Sequence, residues 1–94
     1  MYQVTCPEDV KALVAEIRRE SRTDDQEFDL VSEVAEAGDK HVRKLIDLAI
    51  DAEDDGDNNT RDDYVKLAKE LADSLEDWTH WTNEALHDEL RELS

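Results

Sequence analysis

From Phe28 to Ala52 an apolar or small residue returns every three or four positions: Phe28, Val31, Val34 and Ala35, Gly38, His41 and Val42, Leu45, Leu48 and Ala49, Ala52. That spacing draws one stripe along about seven turns of α-helix, a length no strand reaches. A helix of about 25–54 is expected. Its start is marked by Thr23-Asp24-Asp25-Gln26, which has the form of a capping box, with acids in the first turn where the helix dipole favours them. Gly38 costs about 1 kcal/mol there relative to Ala, so a kink or a close helix crossing is expected at that residue.

The rest of the chain reads the same way. Two Gly and one Pro in 94 residues are too few turn formers for a sheet protein, so the fold class is all-α. Val10, Leu13, Val14 and Ile17 mark a first helix of about 8–21, opened by Thr5 with Glu8, or by Cys6 with Pro7 at the first helical position. Arg18, Arg19 and Arg22 lie near its end, where cations suit the dipole. Asp54-Asp55-Gly56-Asp57-Asn58-Asn59 is a turn, with Gly56 suited to a left-handed residue and Asn59 or Thr60 able to cap the next helix. Tyr64, Leu67 and Ala68, Leu71, Leu75, Trp78, Thr82, Leu86, Leu90 and Leu93 then predict one helix of about 61–92.

Two long helices joined by a short turn cannot hide their stripes alone, which predicts a long antiparallel hairpin with the shorter N-terminal helix packed on it. The whole chain is one domain, able to bury roughly two-thirds of its unfolded surface but not to enclose a deep cleft. Reflection about the turn sets Leu45 near Ala68. It also sets Lys40, Arg43 and Lys44 beside Glu70 and Asp73, pairs worth about 0–1 kcal/mol each on an exposed surface.

Charge is the second constraint. Twenty-seven acids against 11 bases give a net −16, a balance that repels nucleic acid and anionic membrane and suits basic surfaces. Residues 1–23 carry four acids and four bases, so the excess belongs to 24–94. Residues 24–39 hold seven acids and no base, and residues 45–63 hold eight acids and only Arg61. Asp outnumbers Glu 15 to 12 and there are five Lys, a composition that also suits high salt. The lone Cys6 has no partner within the chain, no apolar run approaches the roughly 18 residues of a membrane span, and no signal peptide opens the chain, so a cytoplasmic setting is expected.

Candidate chemistry is sparse. Asp51, Glu53, Asp55, Gly56 and Asp62 match positions 1, 3, 5, 6 and 12 of a calcium loop. Asn58, however, holds the place of the usual apolar anchor, and a solvated turn is the expectation. His80, Glu84 and His87 would share one helix face, with no fourth ligand in sight. Cys6 lacks a His or basic pair to activate it. No phosphate loop or catalytic triad is present in the sequence, and neither enzyme activity nor a cofactor or metal is expected. Trp78 fits a core. Trp81 either packs under the first helix or stays at the edge as an interface anchor.

Acids also recur at helical spacing, in one row of Asp29, Glu33 and Glu36, a second of Asp47, Asp51 and Asp54, and a third of Glu70, Asp73, Asp77, Glu84 and Asp88. Like charges at i, i+4 repel by a few tenths of a kcal/mol, so such rows oppose helix stability and ask for a purpose. In the runs AEDDGDNNTRDD and ELADSLEDW, and from Asp24 onward, the chain resembles the small acidic anti-CRISPR and anti-restriction inhibitors of phages, which mimic DNA. The neutral first helix departs from that pattern. The resemblance implies an inhibitor that occupies a basic nucleic-acid-binding surface without touching nucleic acid or membrane. The residues expected to meet the partner are Asp47, Asp51, Asp54, Asp55, Asp57, Asp62, Asp63, Asp73, Asp77 and Trp81. The alternative is a helical oligomerisation or adaptor module, a homodimer among its forms, whose acidity serves solubility in salt.

Overall fold

The computed structural model describes residues 2–93, and among them the regular structure is helical throughout: α1 Pro7–Glu20, α2 Asp24–Asp54, α3 Asn58–Thr79 and α4 Glu84–Leu93. No helix among the described residues is long and apolar enough to cross a membrane.

Each helix starts for a local reason. Cys6 is the N-cap of α1 and Pro7 its first residue, but the bonds that tie down this end run through Asp9, whose carboxylate accepts from the Thr5 backbone N–H (3.1 Å) and hydroxyl (3.0 Å). Glu8, the expected partner of Thr5, is one residue too early. Thr23 caps α2 by accepting from the Gln26 N–H at 3.1 Å, while the Gln26 side chain accepts from the Arg22 N–H instead of closing the box on Thr23. α3 begins three residues before the expected start because Asp57, not Asn59 or Thr60, is its cap.

The packing is dominated by α2 against α3, while α1 and α4 each touch both. The core joins Val34, Val42, Leu45, Ile46 and Ala49 of α2 to Val65, Ala68, Leu71 and Leu75 of α3, with Val4, Val10, Val14 and Ile17 on one flank and Leu86 and Leu90 on the other. Gly38 is the closest point of this seam: a Cβ built there would lie 2.5 and 2.6 Å from the two Leu75 methyls. The close crossing that Gly38 suggested is therefore explained by Leu75. Trp78 packs at the core edge, its carbonyl accepting from Arg18 at 3.2 Å and its ring lying 5.8 Å below Lys11 Nζ.

The helix expected over 61–92 is broken. α3 ends at Thr79, His80 takes the left-handed conformation with φ 58°, and α4 starts at Glu84. A non-glycine residue held there costs about 1–2 kcal/mol. Burial accounts for the break. Because Leu75 sits at Gly38, a straight helix would draw level with the start of α2 near Glu89, leaving Leu90 and Leu93 beyond anything that could cover them. Folded back, α4 leaves Leu86 7% and Leu90 1% exposed. The same break leaves Phe28, expected in the stripe, 67% exposed, because α3 stops before reaching its level.

The charge pairs also differ from expectation. Arg43 bonds Glu89 of α4 and lies 3.6 Å from Asp47, while Lys40 and Lys44 face a groove beneath Tyr2–Thr5. Glu70 and Asp73 line a separate groove with Lys66 and Lys69. α4 supplies the difference, since it places Glu89 within reach of Arg43.

Replacing Gly38 by Ala gains about 1 kcal/mol of helix preference but forces Leu75, which is 2% exposed and has no free space to enter, at a cost of about 1–3 kcal/mol. Chemical denaturation should find Gly38→Ala less stable by about 1 kcal/mol. Leu75→Val should cost less in the Gly38→Ala background than in the native chain.

His41 gives a pH signature. Partial burial and the nearby Lys44 lower its pKa from 6.5, with Asp9 acting weakly the other way. As pH falls below 6.5 the unfolded chain takes up this proton first, so the folded state loses stability until folded His41 titrates as well. Melting temperatures measured from pH 7 downward should show this loss, and His41→Gln should flatten that part of the curve.

Candidate protein-interaction surface

The turn between α2 and α3 is built by backbone bonds that leave its carboxylates outside. The Gly56 N–H bonds the Glu53 carbonyl at 3.0 Å and the Asp57 N–H bonds that of Ala52 at 2.9 Å. Gly56, at φ 80°, supplies the left-handed residue this Schellman closure needs. Asp57 then accepts from the Thr60 backbone N–H (3.1 Å) and hydroxyl (2.6 Å), and these bonds lower its pKa. Three residues, Asp55 to Asp57, therefore reverse the chain, held by these backbone bonds and the Asp57 cap.

Around that turn Asp51, Glu53, Asp54, Asp55, Asp57, Asp62 and Asp63 are all exposed, with Asp47 one to two turns back along α2. Arg61, the base among them, is engaged locally: it lies 2.9 Å from Asp62 and 3.9 Å from Glu53, its side chain 23% exposed. Tip and body thus differ in charge density. By the register of Leu75 on Gly38, residues 45–54 pair with 59–68, and eight acids less Arg61 and Lys66 make six net charges in about 15 Å of paired helix, one per ~2.5 Å, against one per ~1.7 Å for duplex DNA.

The ten residues expected to meet a partner are spread along the molecule, with Asp62 and Asp73 lining one groove. Asp47, Asp51, Asp54, Asp55, Asp57, Asp62 and Asp63 share the tip. Asp73 and Asp77 sit lower on α3, Asp73 beside Lys69, roughly 16 Å from Asp62 along the helix. Trp81 lies in the α3–α4 link, 49% exposed, its backbone N–H donating to the Thr79 hydroxyl at 3.2 Å. The acid row from Glu70 to Asp88 is cut at His80, which removes Glu84 and Asp88 to α4.

The two spacings that resemble metal sites are also separated. Asp51 and Asp62 belong to regular helices on either side of a three-residue turn, so the calcium-loop spacing does not make a loop. His80 caps α3 while His87 lies on α4 with Nε2 3.9 Å from Glu76, so His80, Glu84 and His87 do not share a helix face. Among the described residues no group of three or more metal-ligating side chains converges.

Two exposed aliphatic residues accompany the acids: Ile50 (39%) and Leu67 (50%), one on each long helix near the tip. Ile50 falls outside the apolar stripe, and that departure was the available signal. Leu67 lies within the stripe and gave none. At the middle of α2 Asp39, half-buried, has its pKa raised by desolvation, a rise that its hydrogen bond to Asn83, together with His87 and Trp81, opposes.

Comparison with known protein families, curated proteins and solved structures finds no match to this chain.

Asp57→Ala removes two hydrogen bonds from the start of α3 and should lower the melting temperature at neutral pH. The folded carboxyl titrates below its ordinary value of 3.8, so its contribution is present above that value and fades as pH falls through it. The native chain and Asp57→Ala should therefore converge in stability at strongly acid pH.

Proposed function

We propose that this chain is a non-enzymatic binding protein whose long α2–α3 pair works as an antiparallel hairpin presenting an acidic tip to a basic, nucleic-acid-binding surface of another protein. By occupying that surface it keeps DNA out, as an inhibitor of a CRISPR or restriction-type complex would. The observation that carries the reading is the tip's charge density, about two-thirds that of duplex DNA over about 15 Å, with Arg61 at its centre tied to its own neighbours.

Acidity that served only solubility in salt needs no such concentration. Outside residues 45–68 the chain carries ten net negative charges over the remaining length of a 50 Å molecule, one per ~3.5 Å by the same helical rise. A turn held by backbone bonds also suits the role, because its main chain loses little freedom on docking. Ile50 and Leu67 add apolar contact beside the charges, which pure electrostatic attraction lacks.

The test is capture from a lysate at about 0.1 M salt, repeated at about 1 M, where the screening length falls from about 10 to 3 Å. The expected result is a nucleic-acid-handling complex that duplex DNA displaces and high salt releases. Asp51→Lys with Asp54→Lys and Asp55→Lys should weaken binding by at least about 100-fold, the effect of losing several charge contacts at once. Reversal of Asp24, Asp25 and Asp29 should change it by less than about threefold. Capture indifferent to DNA, to salt or to the tip variants would reject the reading.

A further inference from the structure

We propose that α4 is an exchangeable element: two copies of this chain associate by trading it, each α4 leaving its own α2–α3 groove for that of the other copy. Four observations converge on the link His80–Asn83.

The first is the sequence across the break. Leu71, Leu75, Trp78, Thr82, Leu86, Leu90 and Leu93 keep helical spacing straight through it, so the segment is as well patterned for one continuous helix as for two. The second is strain at the joint. His80 holds φ 58° without being glycine, and a straightened helix would release it.

The third is how α4 is held. It is seated by Leu86 and Leu90 and by a few separable polar contacts, Arg43 with Glu89, Glu76 with His87 at 3.9 Å, and Asp39 with Asn83 at 3.5 Å. Each can form unchanged with a second copy's α4, since exchange preserves every contact of the docked element. Straightened in its own chain, α4 would instead carry Leu90 and Leu93 past the start of α2, where only another molecule can cover them.

The fourth is what surrounds the joint. Arg18 donates to the Trp78 carbonyl at 3.2 Å and lies 3.4 Å from Glu27, so the end of α3 and the start of α2 share one end of the molecule. That end carries Phe28, 67% exposed, while the link, with Trp81 49% exposed, lies about 16 Å along α2 at the level of Asp39. A copy exchanging α4 must approach the link, and the approach covers Trp81. The acidic tip lies at the opposite end, and at the approaching end Arg18, Arg19 and Arg22 stand against Asp24, Asp25, Glu27 and Asp29.

The experiment uses the Arg43–Glu89 pair, which leaves hinge and core intact. Arg43→Glu in one preparation and Glu89→Arg in another each set like charges against one another within a single chain. Mixed, warmed and cooled, the two variants should yield a species of two chains by light scattering, one of each kind, because exchange restores an opposite-charge pair in both grooves. Separately each should remain at single-chain mass. A mixture that stays at single-chain mass, or that pairs like with like as readily as unlike, would overturn the proposal.

Hinge variants give a second reading. His80→Ala with Asn83→Ala favours the continuous helix and removes the Asn83 side chain that accepts from the Leu86 N–H. It should raise the two-chain fraction of the native sequence at least about fivefold, the factor that separates Ala from Gly in a helix. His80→Gly, which relaxes the joint, should lower it. Equal fractions in both variants would equally overturn the exchange.

Discussion

The approach of Leu75 to Gly38 sets the register on which the rest of the molecule is built. Two helices this long could slide past one another by a turn with little change in apolar burial, because each carries an apolar or small residue every three or four positions. A glycine that accepts one particular leucine removes that freedom. This register decides the level at which α3 runs out of partner, the need for α4 to fold back, and the exposure of Phe28. It also leaves the last turns of α2 and the first of α3 standing beyond α4, so that the turn and its carboxylates project into water.

Local chemistry was readable from the sequence where one residue type decides the outcome. Thr23 ahead of a periodic run starts α2, and Gly56 between aspartates takes the left-handed conformation that ends it. The all-α class comes from the scarcity of turn formers. The end of α3 was not readable. Nothing between Leu75 and Leu86 breaks helical spacing, and His80 is not a residue that announces a left-handed stop. That decision belongs to tertiary burial, which a periodic pattern does not encode. The expected partners of Lys40, Arg43 and Lys44 failed for the same reason: a helix folded back onto the seam brought Glu89 to Arg43.

The candidate surface was legible in part. Charge counts along the chain located the dense segment, and the turn gathers its acids at one end. Spacing alone grouped other residues wrongly. Asp73 and Asp77 belong to a stretch of α3 where Lys66 and Lys69 dilute the charge, and the row from Glu70 to Asp88 assumed a straight helix. The calcium-like spacing failed on conformation: the motif counts twelve residues of loop, whereas the chain reverses in three.

The molecule measures about 50 by 20 by 19 Å, and its densest charge sits at one end of the long axis. It therefore carries an electric dipole along that axis, and in the field of a basic partner such as the one proposed it would turn before contact so that the turn between α2 and α3 leads. The end bearing Phe28 would trail into solvent. Two molecules joined there would point their tips away from each other, at a separation no single binding cleft spans, and would act as a bivalent ligand whose avidity depends on the spacing of the sites it meets.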